Sequence, residues 1–100
     1  MEQNSFPTIA ERVFEMVENG RRMELRLRLG VPEDTRKGDF ACPVQISGIQ
    51  NDRVFEIVGE DSLQSLVLAL KFAGTLLQAK QEDGAHVTWL GESDLGLGGF

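Results

Sequence analysis

The chain has 100 residues, 41% apolar and 26% charged, with sixteen acids against ten bases and a formal net charge of −6. That length allows one domain with one modest core, burying about two-thirds of the unfolded surface, and the balance is that of a soluble globular protein. An acidic chain suits a phosphate backbone poorly, so no nucleic acid is expected as a partner. The longest apolar run, 66–70, is far too short for a membrane span, so no membrane is expected either.

One cysteine, Cys42, and one histidine, His86, limit the chemistry further. They leave no intramolecular disulfide, no thiolate metal site and no multi-histidine site. Only one Cys–His pairing remains for nucleophilic catalysis. No metal or cofactor is expected. A lone cysteine fits a reducing compartment, and the opening MEQNSFPT lacks the basic region and apolar block of a signal peptide.

The first segment has two readings. Ile9, Val13, Met16 and Val17 fall at helical spacing, and Thr8 with Glu11 has the form of a capping box. Against this stands Asn19-Gly20, a strong hairpin signal, followed by Met23, Leu25, Leu27 and Leu29 alternating with charges. A two-residue Asn-Gly loop sets Glu18 opposite Arg21, Met16 opposite Met23, Phe14 opposite Leu25 and Glu11 opposite Arg28. Arg12 opposite Leu27 and Glu15 opposite Glu24 fit this register badly. The hairpin is preferred, and a helix over 8–19 is the alternative.

Residues 30–39 hold Pro32, Gly38 and five charges and read as a loop. Phe40, Cys42, Val44 and Ile46 then alternate as a third strand. Pro43 lacks an amide hydrogen, which predicts an edge or a bulge there. A turn over 48–53 leads to a fourth strand, 54–58, with Phe55 and Ile57 on one face. A helix follows over about 62–81. Leu63, Leu66, Val67, Leu70, Gly74 and Leu77 mark its expected sheet-facing stripe, with Gly74 there for close approach. Leu68, Phe72 and Leu76 form a second apolar stripe. A short last strand over 86–90 would point Val87 and Trp89 one way. The expected fold is α+β: a mainly antiparallel sheet of four to five strands, built as an N-terminal hairpin meander, with one long helix packed on one face. One domain spans 1–100, with 1–7 and 91–100 irregular or flexible.

Four short motifs occur in order: Ala10-Glu11-Arg12, Leu29-Gly30-Val31-Pro32, Cys-Pro-x-Gln-Ile-x-Gly over 42–48, and Gly-x-Asp-Ser-x-Gln-x-Leu-x-x-Ala-Leu over 59–70. Together, from about 9 to 77, the string resembles a family of small bacterial proteins of unknown function. The resemblance implies a bacterial, cytoplasmic, single-domain protein and carries over no catalytic residue.

Each candidate site has a plainer reading beside it. Asp61 as N-cap with Gln64 three residues on is a capping box, which outweighs acid–base chemistry. Cys42 shares a face with Phe40, Val44 and Ile46 and reads as a buried apolar residue. Arg26 and Arg28 are candidate anion contacts, or a solvated face paired with acids such as Glu11 and Glu18. Gly96-Leu97-Gly98-Gly99 has no helix after it to present amides to a phosphate. Leu68, Phe72 and Leu76 are the candidate interaction residues: either the fold covers them, or they meet a protein partner or a second copy of the chain. The leading functional expectation is a non-catalytic protein-interaction module, immunity-like or regulatory and self-associating. The alternative is a small-molecule-binding protein or enzyme subunit using the open sheet face or a dimer cleft.

Overall fold

A computed structural model describes residues 6–97. Six strands form one antiparallel sheet: β1 (Thr8–Glu18), β2 (Arg21–Gly30), β3 (Glu33–Asp34), β4 (Phe40–Ser47), β5 (Val54–Gly59) and β6 (His86–Thr88). One helix, α1 (Ser62–Glu82), packs on one face. The fold is α+β.

The first segment is a strand. Asn19 and Gly20 both take positive φ, 54° and 76°, as a two-residue hairpin turn requires. The register matches the alternation: Glu18 opposite Arg21, Met16 opposite Met23, Phe14 opposite Leu25, Glu11 opposite Arg28, with a bulge between Thr8 and Ala10. Phe14, Met16, Leu25, Leu27 and Leu29 are buried.

β4 continues the meander beside β2 and makes a hairpin with β5 through a 3₁₀ turn at Gln50–Asp52. The short β3, inside the segment read as a loop, pairs with Phe40 and Ala41. β2 and β3 therefore share one flank of β4, and β5 lies on the other. This corrects the edge expected at Pro43, since β4 is interior. On the first flank the ladder changes partner between Ala41 and Val44, and Pro43 falls in that gap. An imino acid is tolerated where no ladder runs.

After β5 the chain crosses in α1 to the far side of the sheet, where β6 pairs with Glu15, Met16 and Val17 of β1. The order across the sheet is β5-β4-β2-β1-β6, with β3 beside β4. By length and composition alone α1 would pass as a membrane span; its buried face lies on the sheet.

That face differs from the expected one. Ser65, Ala69, Ala73 and Leu77 are the buried residues of α1, whereas Leu63 is 67% exposed. Small side chains let the helix axis come close over β4 and β5, and the large ones straddle it. Leu66 and Leu70 pack on one flank, and Phe72 and Leu76 on the other. The close approach is also not at Gly74, where an added Cβ would meet nothing within 4 Å. It is at Gly59, where a Cβ would stand 2.4 Å from the Ser65 amide nitrogen.

Candidate functional site

The helix start is built as its residues dictate. The Asp61 carboxylate accepts from the Gln64 backbone amide at 2.7 Å, and the Gln64 side-chain oxygen Oε1 accepts from the Glu60 backbone amide at 2.7 Å. The return bond reaches one residue before the cap, so two otherwise unpaired amides are satisfied. These side chains are occupied by structure.

Cys42 has no exposed surface and lies 3.5 Å from the Gly30 carbonyl oxygen. Burial pushes its thiol above the usual range, and the nearby Glu56 charge adds to the shift. A thiol held protonated is a poor nucleophile. His86 is exposed on β6 and stands on the opposite face. Three strand intervals separate β4 from β6, about 14 Å, so the two residues form no dyad. Among the described residues no group of three metal-ligating side chains converges.

The arginines of the outer face divide. Arg26 pairs with Glu11 at 3.2 Å and Glu24 at 3.7 Å, and Arg22 pairs with Glu15 at 3.1 Å. The two arginines thereby hold Glu15 and Glu24 apart in charge although they face each other across β1 and β2. Glu18 pairs with Lys80 of the last helical turn at 3.2 Å instead of with an arginine. Arg28 has no acid partner among the described residues. It donates through Nη2 to the Gln45 side chain and lies 5.8 Å from the Phe6 ring, with its Nε buried and unpartnered. Gln45 is itself buried and donates to the Asp52 carbonyl at 2.6 Å.

Arg12, the other poor fit to the hairpin register, has a structural role that was not foreseen. It points to the core face, where its guanidinium lies 3.6 Å over the Trp89 ring and donates to the Leu95 and Gly96 carbonyls at 3.1 and 3.3 Å. A Cβ on Gly96 would collide with both partners, at 2.7 Å from Trp89 and 2.8 Å from Arg12. The chain reverses at the Trp89–Glu92 bridge, and Leu95 and Leu97 then pack on the core. Gly98 and Gly99 of the glycine-rich motif lie outside the described residues, as do residues 1–5. The available signal for this clamp was the misfit itself: an arginine opposite a leucine on an apolar face needs a local partner.

Leu68, Phe72 and Leu76 are half-buried. Phe72 meets Phe55 of β5 edge-on, with ring centroids 4.8 Å apart. The strongly exposed apolar side chains lie elsewhere. Leu90, 81% exposed, lines a separate cavity with Val13 and Met23, whereas four others share one end of the sheet, Ile9 and Val31 flanking the end of the hairpin and Val58 and Leu63 the turn from β5 into α1. Beside them a groove of about 220 Å³ runs between the hairpin and the helix, walled by Ala10, Leu27, Leu29, Leu70 and Leu97. Glu33, Asp34, Asp39, Glu60 and Asp61 also stand at this end, against Arg36 and Lys37.

Neither a curated protein nor a solved structure matches the chain. A family model described as a domain of unknown function (DUF6968) matches residues 10–98, and the chain belongs to that family.

Proposed function

We propose that the protein is a non-catalytic interaction module of the bacterial cytoplasm, immunity-like or regulatory, whose partner presents a basic and apolar surface. The observation that supports this is the end of the sheet around Leu63. There, exposed Ile9, Val31, Val58 and Leu63 stand among five acids and two bases. Exposed apolar side chains gathered at one site mark an interaction surface, and an acidic rim selects a basic partner and speeds its approach. A second copy would bring acids against acids at this end. Elsewhere Arg22 and Arg26 pair with acids of the hairpin, Lys80 pairs with Glu18, and Cys42 is buried and held protonated.

The test is Leu63→Glu. The side chain is 67% exposed, so the fold tolerates the change. Tagged wild-type protein retains a basic partner from its host's lysate, the retention falls with added salt, and the variant loses it with its melting transition unchanged. Equal retention by the variant overturns the reading.

A further inference from the structure

The two outer edges of the sheet are finished differently. At one edge β6 is only three residues long, and the chain then turns away at the Trp89–Glu92 bridge. Short strands and turns are how sheets avoid unwanted pairing. At the other edge β5 runs six residues, Val-Phe-Glu-Ile-Val-Gly, and pairs only with β4. It has no lysine, no proline and one charge, and four of its residues are strong strand formers. Among the described residues no backbone or side-chain group bonds its outer flank.

The layer above that edge is unfinished too. Leu68 and Phe72 stand on the helix flank that faces β5, and with Phe55 and Ile57 they are only half-buried. A strand added beside β5 would complete the ladder and cover this flank together. The sequence says which strand fits. Val54-Phe55-Glu56-Ile57-Val58 keeps its apolar and charged pattern in both directions about Glu56, with Phe55 and Ile57 changing places. A two-fold interface is self-complementary, each residue i meeting j while j meets i, and this pattern then sets apolar residues opposite apolar ones. In an antiparallel pair the residues directly opposite share a face. With the axis at Glu56, each Phe55 meets Ile57 of the partner subunit on the helix side, and each Val54 meets Val58 of the partner subunit on the open side.

We propose that β5 pairs antiparallel with β5 of a second copy, giving one continuous sheet with both helices on the same face and Leu68 and Phe72 closing the seam. This surface shares Val58 with the Leu63 end, but Leu63 and Glu56 each belong to one surface alone, so Leu63→Glu and Glu56→Lys let either proposal fail by itself. The salt dependences also differ. Two chains of net charge −6 with Glu56 facing itself associate more tightly as salt screens them, whereas a basic partner is released.

The experiment is sedimentation equilibrium at low and high salt. Wild type shows a monomer–dimer equilibrium that tightens with salt. Glu56→Gln removes the one like-charge contact and tightens the dimer by about two- to five-fold. Val58→Lys, at a side chain 51% exposed in the monomer, is monomeric with unchanged circular dichroism. Glu56→Lys mixed in equal amount with wild type forms the mixed dimer beyond the statistical half of all dimers, because the central contact becomes an opposite-charge pair. A wild type that stays monomeric at high concentration and high salt overturns the proposal. So does a dimer whose Glu56→Lys mixture shows no preference for the mixed species.

Discussion

The two sides of the sheet solve the same problem with different means. On the β1–β6 side the helix does not close the core alone. Arg12 lies on Trp89, holds two carbonyls of the chain beyond β6, and brings Leu95 and Leu97 onto the apolar layer. On the β4–β5 side no such segment exists among the described residues. There the helix comes down on small residues, Phe72 meets Phe55, and the Arg53 guanidinium lies 4.7 Å over the Phe55 ring without the carbonyl bonds that Arg12 makes. A polar clamp fixes one side by directed bonds; the other depends on how closely two backbones approach. The second arrangement leaves apolar surface half-covered at an open strand edge, and the proposed self-pairing arises there.

The largest expected effect comes from spoiling that approach. Gly59→Ala places a methyl group 2.4 Å from the Ser65 nitrogen and 2.8 Å from the Gln64 carbonyl carbon, both backbone atoms that cannot swing aside. The first turn of α1 must lift, and we expect a loss of about 2–3 kcal/mol, read from the urea midpoint. Circular dichroism should still show the helix, because its own bonds survive. An unchanged midpoint would mean that the helix does not depend on this seat. On the other side, Arg12→Ala removes a cation–π contact and the donor to two carbonyls, costing about 2 kcal/mol. Arg12→Lys restores the charge but not the flat stacking surface, and should recover less than half of the loss. The change should also quicken proteolysis of the C-terminal segment while leaving the Gly59 side protected. Equal effects on both sides would mean that they are not independent.

The hairpin could be read from residue order because turn and alternation agree. Asn19-Gly20 sets the loop length, and a period of two then fixes which side chains meet. Even the misfits in that register were informative. Glu15 opposite Glu24 is relieved by Arg22 and Arg26, and Arg12 opposite Leu27 by Trp89 and the tail. Arg22 and Arg26 lie in the hairpin itself, but Trp89 and the segment after it are distant in sequence, so for Arg12 residue order gave the problem without its solution. The helix misled for a different reason. Apolar spacing points to a face through Leu63, Leu66, Leu70 and Leu77, yet Ser65, Ala69 and Ala73 lie buried beside Leu77 because axis distance, not side-chain size, decides which positions lose all contact with water. The close approach likewise falls at Gly59, before the helix, and not at Gly74 within it. The candidate interaction residues were legible as a stripe; their position beside an open strand edge was not, since edges depend on topology.

Smaller effects come from the helix itself, which both sides share. Asp61→Ala leaves the Gln64 amide without its 2.7 Å acceptor at an exposed terminus and should cost about 1 kcal/mol. Asp61→Asn keeps an acceptor and should retain most of the stability, which separates the hydrogen bond from the charge. Gly74→Ala should act in the opposite direction. The new methyl group meets nothing within 4 Å, so no contact is lost, and alanine is less costly than glycine in a helix interior. A gain of slightly under 1 kcal/mol is expected, seen as a higher urea midpoint with an unchanged slope. Two glycines fifteen positions apart, one before the helix and one within it, would then respond with opposite signs to the same substitution. If Gly74→Ala destabilises instead, something approaches that face of α1 in solution, and the helix has a neighbour there.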